Sequence, residues 1–197
     1  MAVDRARAER AVREFLLALG REPEQEPELQ GTPARVVEAY TSDLLSGYDV
    51  DVNALLRDGE AISENKVSGL IALSGISVST VCPHHLLLSN GTASVVYRPG
   101  SRLFGLGTLA ALVNAYARRL SLQESIGESV VQALVEHGGA RAAYCEIRLV
   151  HGCLVARGSR QAGAELVTTA RRGDLDAAEL SLALLGPRGG VRGEAER

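Results

Sequence analysis

Five of this chain's seven cysteines and histidines fall in two short clusters, Cys82-Pro83-His84-His85 and His151-Gly152-Cys153. Cys and His are the usual ligands of zinc. Cys82 and His85, three residues apart, and the distant Cys153 supply three ligands. A fourth coordination position is then left for water, as in a catalytic zinc site rather than a closed structural one. His84 and His151 stand beside the ligand positions, where a side chain that titrates near neutrality can move protons. Ordinary readings stay open beside this one. A lone Cys is a small core hydrophobe, and a lone His is a surface residue or a satisfied core residue. If residues 150–155 are extended, His151 and Cys153 point to one face. A core strand with Cys inward has the same alternation, so spacing alone does not choose.

The elements that must position these clusters follow from periodicity. Asp4 caps a helix to about Leu19, ended by Gly20, with Ala8, Val12, Phe15, Leu16 and Leu19 as its apolar stripe. An acidic loop with Pro23 and Pro27 follows. Thr32-Pro33 starts a second helix, Thr as cap and Pro at the first position, which runs to about Leu45. Residues 67–81 and 91–97 read as strands, so the first cluster lies between the end of one strand and the start of the next. Helices are expected over 108–120 and 121–137, then strands over 142–156 and 165–170. Ser121-Leu122-Gln123-Glu124 reads as a capping box, and neither Gln123 nor Glu124 lies on the stripe of Leu122, Ile126, Val130 and Leu134. Strands, two central helices, then strands again indicate an α+β fold. The Gly-, Arg- and Glu-rich residues 186–197 read as a disordered tail.

Composition narrows the function classes. With 197 residues the chain can bury a core in one domain, or in one domain with a helical arm. A net charge of −3 argues against a general nucleic-acid surface. Three cysteines do not suggest a disulfide framework and fit a reducing compartment. The charged N-terminus does not read as a signal peptide, and no apolar run approaches transmembrane length, so the cytoplasm is the expected location.

Four ordered motifs carry a family resemblance over about residues 4–170. Ser79-Thr80-Val81-Cys82-Pro83-His84-His85 resembles the Ser-x-Cys-Glu-His-His motif of GTP cyclohydrolase I, with one extra residue and Pro for Glu. His151 to Gly158 resembles the family's His-x-Cys-x-x-Ala-Arg-Gly; Gln123-Glu124 matches its Gln-Glu pair; Thr32-Pro33-Ala34-Arg35 matches its Thr-Pro-x-Arg. The resemblance implies a tunnel-type fold: an antiparallel sheet with two central helices on one face and an N-terminal helical arm. In the family, subunits close sheets into a barrel and form rings, often stacked into decamers, with active sites at subunit interfaces. Here it implies an arm over 1–48 and a catalytic domain over 49–185. It implies Zn2+ on Cys82, His85 and Cys153, proton transfer by His84 and His151, guanine recognition by Gln123 and Glu124, and phosphate contacts from Arg35 and Arg157. The activity implied is opening of a guanine imidazole ring with formate release and closure to a dihydropterin.

The resemblance breaks at the phosphate pocket. The family follows Gly-Leu with Ser-Lys and then an Arg; this chain follows Gly105-Leu106 with Gly107-Thr108 and then Ala111. Two positive charges are missing, and Arg98 or Arg102 would have to replace them. A family member acting on a less phosphorylated or non-nucleotide purine without pterin formation is therefore one alternative. Others are a non-catalytic zinc-binding ring protein and a related tunnel-fold nitrile reductase with a Cys nucleophile, against which the paired histidines argue.

Overall fold

The computed structural model describes residues 3–63, 67 and 69–185; the expected disordered tail lies outside them. Helix α1, Arg5–Ala18, is capped by the Asp4 carboxylate, which accepts from Arg7 N, and ends before Gly20 in the left-handed region (φ 75°). It packs on α2, Thr32–Glu38. Its expected stripe is split. Ala8, Val12 and Leu16 are half-buried, whereas Phe15 and Leu19 are 63% and 60% exposed. The cap of α2 is not Thr32 but Gly31, at φ 73°; Thr32 lies in the first turn, where its hydroxyl accepts from Arg35. A π-helical turn at Ala39–Leu44, a 3-10 turn at Ser46–Asp49 and α3, Val52–Arg57, lead into the sheet domain.

The main sheet has four antiparallel strands: β2, Ile71–Val81; β3, Leu88–Arg98; β5, Ala142–His151; and β6, Leu166–Arg172, ordered β2-β3-β5-β6. A small pair, β1 (Glu60–Ala61) and β4 (Arg102–Leu103), stands apart from it. β2 carries an irregularity between Leu73 and Ile76, where Gly75 takes φ 74°. One face of the sheet buries Ile76, Val78, Ala93, Val95, Cys145, Ile147 and Leu149 against α4 (Leu106–Ala117) and α5 (Gln123–Glu136). The two central helices thus lie on one face, as expected. The other face carries α7, Ala177–Leu185, over Ala72, Val96, Ala142 and Tyr144, a helix not anticipated from the sequence.

Two boundaries differ from expectation at places that matter for the site. β3 begins at Leu88 rather than Gly91, because Leu88, Ser89 and Asn90 pair with Val81, Thr80 and Ser79. β5 stops at His151, and residues 152–155 form a helical turn, α6, instead of continuing the strand. The cause is local: a Cβ on residue 152 would lie 2.5 Å from Leu88 O, so glycine lets the chain press against β3 and turn. No helix among the described residues is long and apolar enough to cross a membrane.

Candidate metal centre and active site

The two ligand arms leave the same end of the sheet. β2 ends at Val81 and delivers Cys82 into a tight loop, closed by Cys82 N donating to Leu87 O and Leu86 N donating to Cys82 O. Leu86 takes φ 55° in that loop, a left-handed conformation that is unusual for leucine. On the other side, β5 ends at His151 and α6 carries Cys153. One ligand atom from each of Cys82, His85 and Cys153 lies within 4.8 Å of the others. His85 Nδ1 is 3.7 Å from Cys82 Sγ. Tetrahedral zinc, with bonds of about 2.3 Å to sulfur and about 2.0 Å to nitrogen, needs a sulfur–nitrogen separation of about 3.6 Å. Distance and donor set therefore fit zinc.

The electrostatics at Cys153 follow from its packing. Burial, and then the neighbouring Cys82 thiol, push the Cys153 thiol above its ordinary value. The positive charge of Arg157 acts in the opposite sense and lowers the Cys153 pKa. A divalent cation beside the Cys153 sulfur would favour its thiolate form.

The two spare histidines differ. His84 is exposed, touches the His85 ring edge-on at 6.2 Å between centroids, and has no hydrogen bond on its ring among the described residues. His151 is engaged on both sides: Nδ1 lies 3.0 Å from the Ser89 hydroxyl and Nε2 lies 2.8 Å from Gln123 Oε1. Gln123 is 2% exposed, and its Nε2 faces Ile147 O, Leu166 O and Thr168 Oγ1 at 2.9, 3.0 and 3.1 Å. Carbonyls only accept, so the amide nitrogen points at them and Oε1 points at His151. The amide of Gln123 is therefore used inside the protein, joining α5, β5 and β6.

The capping box also fails to form. The helix cap is Leu122, without a side-chain bond, and Glu124 falls in the first turn of α5 with its carboxylate exposed. It is thus not tied to the backbone. Extended geometry does not carry His151 and Cys153 to one face, because the strand ends between them. Arg35 donates to the Thr32 hydroxyl, and among the described residues no hydrogen bond or ion pair joins it to the cluster. Arg98 is bound to Glu179, and Arg102 donates to Leu56 O; both are committed elsewhere. Ser89 was missed from the sequence. The available signal was a serine directly after the run Leu86-Leu87-Leu88, at the start of a strand.

The profile of the GTP cyclohydrolase I family matches residues 8–183. A protein named GTP cyclohydrolase 1 from Leifsonia xyli subsp. xyli is 38% identical over 87% of this chain and 88% of its own length. One of the same name from Mycobacterium ulcerans is 37% identical over 93% of this chain and 90% of its own. A solved structure, the archaeosine synthase QueF-Like in the apo form, aligns with a TM-score of 0.46 at 17% identity, covering 56% of this chain and all of that one. The chain belongs to the GTP cyclohydrolase I family.

Proposed function

We propose that this chain is a zinc-dependent hydrolase that opens the imidazole ring of a guanine nucleotide, releases formate and yields a dihydropterin. The observation that carries the reading is the convergence of Cys82, His85 and Cys153 within 4.8 Å, from two separate arms, in a chain of this family. Zinc held there supplies a Lewis acid that makes a water nucleophilic near neutral pH. Addition of water to the ring carbon between two nitrogens breaks a carbon–nitrogen bond, and a second water splits the resulting formamide to formate and an amine. The amine closes on the rearranged sugar with loss of water.

The protein groups divide this work. Glu124, exposed beside the buried Gln123, accepts hydrogen bonds from the guanine N–H edge. His84, with its ring nitrogens uncommitted, exchanges protons with the reacting atoms; His151 does so only by releasing Gln123 or Ser89. Gln123 acts through His151, holding the ring in place. Arg157 contributes positive charge for phosphate near the metal, and Arg35 adds to it from the arm. Among the described residues no further strand pairs with the outer edges of β2 and β6, where only Val81 makes an isolated bridge to Leu120, which supports a homo-oligomeric ring with sites at subunit interfaces.

A second reading has its own support. Gly107, Thr108 and Ala111 offer no cation at the start of α4, and Arg98 and Arg102 are committed to Glu179 and Leu56. These features favour a substrate with fewer phosphates than GTP. An end-point mass assay with zinc-loaded protein on GTP, GMP, guanosine and guanine separates the readings. Formate and dihydroneopterin triphosphate from GTP support the first. Formate only from the less phosphorylated substrates supports the second. No turnover of any of them overturns both.

A further inference from the structure

The two ligand arms of the metal centre share one ruler, the first two residues of β3. Leu88 pairs with Val81, the residue before Cys82, and Ser89 pairs with both Thr80 and His151. Ser89 is fully buried, with its hydroxyl 3.0 Å from His151 Nδ1. The direction of that bond can be worked out. Gln123 Oε1 only accepts, so His151 Nε2 carries the hydrogen it faces; in the neutral ring Nδ1 is then the acceptor, and Ser89 O–H donates to it. His151 is thereby pinned at both ring nitrogens. The next residue, Gly152, is pinned against Leu88 O by close approach. Cys153 follows directly, one residue beyond two fixed ones.

We propose that Ser89 is a positioning residue of the metal centre: acting through His151, its hydroxyl holds Cys153 at the distance from Cys82 and His85 that a metal requires. This rests on the reading of the three residues as metal ligands. The mechanism is the orientation of a ligand by groups behind it, the loss of which commonly weakens metal binding tenfold to a hundredfold. Thr80 provides the control. It stands opposite Ser89 in register and is 2% exposed, and its hydroxyl has no hydrogen-bond partner among the described residues, so no chain of bonds runs from it to Cys153.

The test is zinc affinity by competition with a chromogenic chelator, on full-length wild type, Ser89→Ala, Ser89→Thr and Thr80→Val. The visible spectrum of the cobalt-substituted proteins is recorded alongside. Wild type should bind about one zinc per chain. Ser89→Ala should bind about tenfold to a hundredfold more weakly with altered cobalt bands, Ser89→Thr should recover most of the affinity, and Thr80→Val should stay within about twofold of wild type. Equal affinity and equal spectra for Ser89→Ala and wild type overturn the proposal while leaving the metal centre standing. A wild type that binds no zinc overturns the metal centre and the proposal with it. If Ser89→Ala does not fold, the imidazole nitrogen-15 resonances of His151 in the wild type decide. A hydrogen on Nε2 with Nδ1 bare supports the proposal, and the opposite tautomer overturns it.

Discussion

The hydroxyl of Tyr40 donates to the carbonyl oxygen of Leu86 at 2.7 Å, joining the N-terminal arm to the loop that carries Cys82 and His85. Leu86 is in the left-handed region, and such a residue persists only where its surroundings hold it. Tyr40 lies in the π-helical turn Ala39–Leu44, whose extra residue per turn changes the direction in which side chains leave the helix. The turn that carries Tyr40 is therefore part of what shapes the loop that carries Cys82 and His85.

Tyr40→Phe should remove that bond and little else. The expected cost is about 1 kcal/mol. For a chain of this size that is a fall of about 2–4 °C in the melting midpoint. It should be larger in zinc-loaded protein than in protein stripped by chelator, because the loop matters most when the ligands are engaged. Thermal melts of both forms check this; equal shifts in the two would separate the arm from the metal loop.

Cys153→Ala should lose both metal and turnover, whereas Cys145→Ala should keep both. Cys145 lies in β5 with no exposed surface, packed in the core between sheet and helices, and its loss is a matter of packing, costing about 1–2 kcal/mol. Zinc per chain after dialysis distinguishes the two. Full retention of metal and activity by Cys153→Ala would sink the ligand assignment.

The convergence of Cys82, His85 and Cys153 was legible because residue type carries the information: few side chains bind zinc, and their grouping in the sequence survived into the fold. The order of elements was legible for a similar reason, since the stripes Leu109, Leu112, Val113 and Ile126, Val130, Leu134 record the face each helix buries. What was not legible depends on contacts between distant segments. Gln123 reads as surface because it lies off the stripe of α5, yet its amide is buried by β6, which brings Leu166 O and Thr168 Oγ1 to it. The end of β5 at His151 is set by Gly152 meeting Leu88. Ser89 has a role only because β3 runs beside β5 in one particular register. Local patterning cannot report register of this kind.

Stability should fall on the alkaline side. Burial pushes the Cys145 thiol up to about 12 from an ordinary 9.0. Burial, followed by the nearby Glu146, pushes Tyr144 up to about 12 from 10.0. Both folded-state values lie above the unfolded ones, so above pH 9 the folded chain holds more protons than the unfolded chain. Their contribution is fully present below pH 9 and is lost progressively as pH rises towards 12. The urea midpoint should therefore be lower at pH 10.5 than at pH 8, and the drop should shrink in Cys145→Ala. Identical midpoints at the two pH values would contradict the burial of these groups.

The residues at the start of α4 give a gain-of-function prediction. A Cβ built on Gly107 meets nothing within 4 Å, so the first turn of α4 has room for larger side chains. Thr108 lies in the same turn, and a lysine there would add a cation beside backbone N–H groups that no side chain caps. A charge-assisted contact to phosphate contributes about 1.5–3 kcal/mol. Thr108→Lys, alone or with Gly107→Ser, should therefore improve kcat/KM for GTP by about tenfold or more, while leaving guanosine turnover within about twofold. The ratio of the two substrates is the measurement, because it cancels changes in folding and metal content. A ratio unchanged by the lysine would mean that the phosphates do not lie at the start of α4, and that Arg157 and Arg35 hold them without help from this helix.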